Sequence, residues 1–190
     1  VNKVEVYERL VWPVIEKFSP NDAHELAINA LEVIQRNESL LRIFEAVVGY
    51  DKSPTSQRLK MCWGGMVYEN PVFLAAGFDK DGRVVKALST FGFGSIEVGS
   101  VLSYQQNGYP KPNIWRVEEK SLLNQMGFPS SGMELVKQNL VNLGRLRMPV
   151  GINVGVNRDR VGIDPVLAYC EVVDCLYDQA AYFVLNLSSP

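Results

Sequence analysis

The sequence predicts an α/β fold built on parallel strands and preceded by a small helical region. Two observations carry that prediction. From Pro71 onward short apolar runs alternate with helical patterns: strands are expected near 72–75, 95–98, 150–154 and 182–186, and helices over 83–90, 132–143 and 165–176. Strand, helix, strand order of this kind implies right-handed crossovers between parallel neighbours. The second observation is where the polar residues fall. Asn186, Leu187, Ser188, Ser189 and Pro190 arrive directly after the apolar run Tyr182, Phe183, Val184, Leu185, at the strand end where parallel α/β folds place their chemistry.

The elements follow in order. Leu10, Val11, Val14, Ile15 and Phe18 share one helical face, with Pro13 as an irregularity. Ser19 before Pro20 is a helix start, and Ala23, Leu26, Ala27, Ala30, Leu31 and Ile34 then recur at helical spacing up to an end near Asn37. A third, short helix over 39–48 is closed by Gly49, and the polar stretch 50–57 reads as a linker. Trp63, Gly64, Gly65 and Met66 suit the tight turn of a hairpin. The expected organisation is therefore a helical domain over 1–50, a linker and hairpin over 51–70, and an α/β region over 71–190. A barrel of eight β/α units needs about 250 residues, and the α/β region supplies four strands of eight. The excursion from Val101 to Ser130, with Pro110, Pro112 and Trp115, is too irregular for a bare connection and is expected to be an active-site insertion.

Composition narrows the function classes. The chain has 190 residues, 47% of them hydrophobic, which suits a folded core. Its net charge is -2 and its basic residues are dispersed, so nucleic acid is not an expected partner. The three cysteines, Cys62, Cys170 and Cys175, have no metal-ligand spacing, and their odd number suits a reducing compartment. No metal site is expected. No stretch reaches the roughly 18 uncharged apolar residues of a membrane-spanning helix, and no signal peptide is visible. Val1 in place of Met suggests a trimmed start and leaves an anchor before residue 1 open.

Several motifs stand at the expected strand ends. In NPVFLAAGFDKDG, Asn70 to Gly82, an apolar strand opens into a glycine-bearing turn with Asp79 and Lys80, as expected where backbone amides and an ammonium meet an anionic ligand. Taken alone, a lysine beside Asp79 and Asp81 could equally be a solvated surface pair, and Ser188 with Ser189 could merely cap a turn before Pro190. FGFGSIEVGS, KPNIWR, NQMGF and GINVGVN follow in this order. Together these segments resemble dihydroorotate dehydrogenase of class 2, the membrane-associated, quinone-using branch, from about Tyr7 to Pro190.

The resemblance implies the amino-terminal half of a (β/α)8 TIM barrel, FMN as cofactor, and dihydroorotate and quinone as reaction partners. Such chemistry removes a proton beside a carbonyl and passes a hydride to the flavin, so a base is needed on one face of the substrate and FMN on the other. The resemblance assigns the base to Ser189, where class 1 enzymes carry cysteine; a serine hydroxyl would act there through a water relay. It sets Lys80 between flavin and substrate. Ala75, Ala76 and Gly77 would let the backbone approach the flavin. Ser100, where many relatives have threonine, would bind FMN together with Asn153 and Asn186, and Asn186 would serve substrate as well. Asn124, Gln125, Met126, Gly127 and Phe128 match the substrate loop, whose amides suit the neutral donor and acceptor edge of a pyrimidine; relatives often have arginine or tyrosine at the place of Gln125.

Val156 is the departure of most consequence, since the family usually reads GKN where this chain has Gly155, Val156, Asn157. A cation near the site is thereby expected to be absent, with lower activity or flavin affinity. His24 and Arg116 fall at the quinone passage, between the flavin and helices that would rest an apolar face on a bilayer. A lone histidine on an amphipathic helix could also be structural. Peripheral contact with a bacterial cytoplasmic membrane, or with the mitochondrial inner membrane in a eukaryote, is the expected location. The alternatives are a non-catalytic fragment or degenerate paralogue, and another FMN-dependent pyrimidine oxidoreductase on the same barrel. The later strands of the family supply a further flavin-contacting lysine and the phosphate-binding loops, so residues 1–190 alone are expected to be inactive.

Overall fold

The computed structural model describes residues 5, 7–49, 56–118, 121–144, 146, 148–162 and 164–187. A π-helical turn, Tyr7–Val11, leads into α1 (Trp12–Ile15), which carries Pro13 in its first turn. Helix α2 (Pro20–Arg36) begins as its sequence dictates: the Ser19 hydroxyl accepts from the Asp22 amide at 3.1 Å, and Pro20 takes the first helical position. Asn37 ends α2 and caps α3 (Glu38–Val48), accepting from the amides of Ser39 and Leu40 at 2.9 and 3.1 Å. A short hairpin follows, β1 (Met61–Trp63) and β2 (Met66–Tyr68), turned by Gly64 and Gly65 at positive φ.

The α/β region then runs β3 (Phe73–Leu74), a single turn α4 (Val85–Leu88), β4 (Ser95–Val101), a second hairpin β5 (Ile114–Val117) and β6 (Ser121–Asn124), α5 (Met133–Val141), β7 (Val150–Val154), α6 (Pro165–Leu176) and β8 (Tyr182–Leu185). Strands β3, β4, β7 and β8 form one parallel sheet in that order. Register sorts its two faces. Val150, Val98 beside Ile152, and Val101 beside Val154 pack against the helices, with Val136, Leu140, Val172 and Leu176. The other face carries Glu97 beside Gly151 and Tyr182, then Asn153 beside Val184. The architecture is a partial barrel of four parallel strands.

The helical layer shares a core with this sheet. Ile28, Leu31 and Leu41 are buried together with Val84, Ala87, Leu88 and Ile96. Arg83 reinforces the seam, reaching Glu25, Asn29 and Glu32 on α2.

Two expectations change. The helix expected over 83–90 contracts to one turn followed by a 3-10 turn, Ser89–Phe91. Its start is displaced because the Asp79 carboxylate takes the amides of Arg83 and Val84, both at 2.8 Å, while Val84 stays outside the helical region with φ -133° and ψ 19°. The insertion over 101–130 contains the β5/β6 hairpin, which the sequence pattern did not disclose. Trp115, Val117, Leu122 and Leu123 are all exposed, so no alternation of inward apolar and outward polar residues marks these strands.

Candidate active site

A cavity of about 560 Å³ opens at the carboxyl ends of β3, β4, β7 and β8, a size ordinary for small-molecule sites. Ala75, Ala76, Gly77, Lys80, Ser100, Asn124, Gln125, Met126, Gly127, Phe128, Asn153 and Asn186 all line it. Ser188, Ser189 and Pro190 lie outside the described residues.

The wall nearest β3 is backbone. The Gly77 amide donates to the Gly99 carbonyl at 2.9 Å and the Gly99 amide to the Asp79 carbonyl at 3.3 Å, closing the turn after β3 onto the end of β4. Gly77 stands at φ +115°, a conformation natural only to glycine. A polar chain then crosses three strand ends: the Asn186 amide donates to Ser100 Oγ at 3.4 Å, and the Ser100 hydroxyl donates to Asn153 Oδ1. Asn153 is buried, and the Asn186 carbonyl accepts from Tyr169 at 2.7 Å.

Lys80 is set into this wall by the two aspartates beside it. Asp79 is spent on the amides of Arg83 and Val84, and Asp81 accepts from the amide and hydroxyl of Ser131 at 3.1 and 2.9 Å. Among the described residues no carboxylate reaches salt-bridge distance of Lys80 Nζ, which donates to the Gly77 carbonyl at 2.6 Å. The solvated surface pair is therefore not the arrangement adopted. Burial lowers the Lys80 pKa, against the pull of Asp81 and Asp79; burial likewise raises that of Asp79, against its two backbone donors.

The opposite wall is the insertion. The Gln125 backbone amide donates to the Asn113 carbonyl at 2.9 Å, and the Met126 carbonyl accepts from the Tyr109 backbone amide at 2.9 Å. Gly127 has φ +71°, and a Cβ there would stand 2.8 Å from the Tyr109 ring. Sequence reasoning missed Glu97, Gln106, Tyr109 and Arg158, which also line the cavity. Glu97 was readable as an inward position two residues before Gly99. The other three depend on how the insertion folds back.

His24 lines a second cavity, of about 270 Å³, between α2 and the insertion; Lys80, Tyr109, Met126 and Pro129 are common to both cavities. Its ring meets Phe78 edge to face at 5.2 Å. Its pKa is lowered, first by burial and then by the charge of Lys80. Arg116 lines neither cavity: its guanidinium donates to the carbonyls of Ile15, Glu16 and Phe18 and lies 5.9 Å from the Trp12 ring centre. Val156 lines the first cavity as an apolar side chain. Among the described residues no cluster of histidine, cysteine, aspartate and glutamate could hold a metal ion.

Comparison with known proteins places these features in a family. The sequence pattern of the family Dihydroorotate dehydrogenase matches residues 58–190. The curated dihydroorotate dehydrogenase (quinone) of Deinococcus deserti is 37% identical over 97% of this chain and 50% of its own length. That of Acidithiobacillus ferrooxidans is 35% identical over 95% of this chain and 49% of its own. Among solved structures, the DHODH of Eimeria tenella in complex with ferulenol superposes with a TM-score of 0.69 at 29% identity, covering 87% of this chain and 44% of that one. The chain spans about half the length of the curated relatives it matches.

Proposed function

Because the chain belongs to the dihydroorotate dehydrogenase family, we propose that the protein of which it forms part oxidises dihydroorotate to orotate with FMN as hydride acceptor and quinone as final electron acceptor, in pyrimidine biosynthesis. The observation that carries this reading is the convergence of Lys80, Ser100, Asn153 and Asn186 with the loop 124–128 on one cavity at the strand ends.

The residues present suit FMN. Ala75, Ala76 and Gly77 offer backbone with nothing larger than a methyl group, against which a flat ring can lie, and the linked Ser100, Asn153 and Asn186 offer polar contacts at its edge. FMN, when bound, supplies the acceptor for the hydride. The chain's own residues do the rest. The loop 124–128 binds the amide edge of the pyrimidine. Lys80, free of ion pairs among the described residues, holds an ammonium where negative charge develops. Ser189 takes the substrate proton through a water.

On the far side, His24 lines the passage by which quinone approaches, with Lys80 at the wall common to both cavities. Arg116 serves that passage by holding the end of α1 in place. Leu10, Val11, Trp12, Val14 and Phe18 are exposed and form an apolar surface for peripheral contact with a quinone-bearing membrane. Among the described residues no helix is long and apolar enough to cross a membrane.

The test is spectroscopic. The full-length gene product should carry a flavin that bleaches on adding dihydroorotate and recovers on adding quinone; a colourless protein, or one whose flavin ignores dihydroorotate, would refute the proposal. Ser189→Ala should keep the flavin but slow its reduction by about 10²- to 10⁴-fold, the usual worth of a positioned base.

A further inference from the structure

Arg158 begins the 3-10 turn Arg158–Arg160, just beyond β7, and lines the main cavity. Its guanidinium points back at the insertion: Nη2 donates to the Asn107 carbonyl at 2.7 Å and to the Gly127 carbonyl at 2.9 Å. The guanidinium also lies 5.1 Å from the Tyr109 ring centre, a cation–π distance. Its backbone amide donates to Gln106 Oε1 at 2.9 Å, and Gln106 in turn donates to the carbonyls of Phe128 and Gly127 at 2.9 and 3.4 Å. The loop 124–128 is tied to the insertion by backbone bonds at Gln125 and Met126, and beyond them the chain bends at Gly127 and Phe128, both at positive φ. One side chain, anchored at the end of a buried strand, therefore joins two separate stretches of the insertion at the point where the loop bends.

We infer that Arg158 is a positioning residue for this reaction: it holds the Gly127 bend of the substrate loop against the end of β7 and so sets the loop's amides toward the pyrimidine. A guanidinium that gives two carbonyls hydrogen bonds from Nη2 while its carbon lies over an aromatic ring is a role that the compact, strongly hydrated ammonium of lysine does not reproduce. Val156 leaves Lys80 and Arg158 as the cations lining the cavity among the described residues; Lys80 faces the reacting end, and Arg158 fastens the wall opposite. The inference rests on the proposed oxidation of dihydroorotate.

The experiment uses the flavin-loaded full-length gene product and the variants Arg158→Lys and Arg158→Gln. Both should raise KM for dihydroorotate by about 10- to 100-fold, the cost of a slightly misplaced binding wall, and weaken orotate binding, read from the flavin spectrum, by the same factor. Flavin content and melting temperature should match wild type, because Arg158 is exposed and outside both hydrophobic cores. Arg158→Lys with wild-type KM and orotate affinity would overturn the inference, leaving at most a role for charge. A melting temperature lowered together with KM would also overturn it, since arginine would then serve the fold. If wild-type flavin is itself unmoved by dihydroorotate, the proposed function fails, an outcome distinct from a wild type that responds and variants that match it.

Discussion

Lys80 owes its freedom to its neighbours. Asp79 and Asp81 are adjacent in sequence, yet each carboxylate is committed to groups elsewhere, the first to the turn before α4 and the second to Ser131. The two kinds of residue should therefore separate on mutation. Asp79→Ala leaves two amides without their acceptor and should lower stability by about 1–3 kcal/mol, read by denaturant unfolding. Lys80→Ala should leave unfolding nearly unchanged and slow flavin reduction by at least about 10²-fold. Equal loss of stability in both would contradict this division. His24 gives a pH signature. Its folded pKa lies below the ordinary 6.5 because burial and Lys80 disfavour the cation. The folded state then binds fewer protons than the unfolded one between that lowered value and 6.5, so stability should rise with pH across this window and gain nothing from His24 above it. Melting curves between about pH 5 and 8 should show this slope in wild type and lose it in His24→Gln; identical slopes would exclude His24 as its source.

At the scale of elements, the helical layer is joined to the insertion by a reciprocal amide pair. Asn21 Nδ2 donates to Asn113 Oδ1 at 2.7 Å, the Asn113 backbone amide donates to Asn21 Oδ1 at 3.3 Å, and both residues are buried. Asn113 also donates from Nδ2 to the Tyr109 carbonyl at 2.9 Å and accepts from Gln125 at its own carbonyl, so a contact made by α2 continues into the substrate loop. Asn113→Ala strands the Asn21 amide and should cost about 1–3 kcal/mol. The double variant Asn21→Ala, Asn113→Ala should cost less than the sum of the two single changes, because neither Asn21 Nδ2 nor Asn113 Oδ1 is then left buried and unpaired, while the backbone amide of residue 113 loses its acceptor equally with Asn21→Ala alone. Strict additivity in thermal or denaturant melts would show that the pair carries no coupling.

For the whole molecule, the parallel sheet has β3 at one edge and β8 at the other, and the face away from the helices holds Glu97, Asn153 and Tyr182, the first two lining the main cavity. Parallel strands are ordinarily buried on both faces, and open edges invite association. Residues 1–190 expressed alone should therefore aggregate or dimerise and bind FMN weakly, although Lys80 and the Ser100, Asn153, Asn186 chain are all in place. Flavin titration with thermal melting decides the matter: tight binding with one cooperative transition would show that four strands suffice.

The set of strand-end residues that line the cavity came through the family resemblance; local pattern alone determined the strand and helix alternation and the Ser19 and Pro20 start of α2. These follow from periodicity, capping and chain order, which act over a few residues. Only the tertiary structure decided the rest. The carbonyls that Arg116 binds are some 98 to 101 residues away in the chain, the Asn21 to Asn113 pair spans 92, and Arg158 meets Gly127 across 31. None of these separations leaves a local signal. The β5/β6 hairpin stayed hidden because its apolar residues are exposed, and Arg116 lines neither cavity because carbonyls at the end of α1 in reach of its guanidinium accept its donors. Which neighbour claims a charged side chain is settled by the folded chain, where donors and acceptors distant in sequence come within hydrogen-bond range.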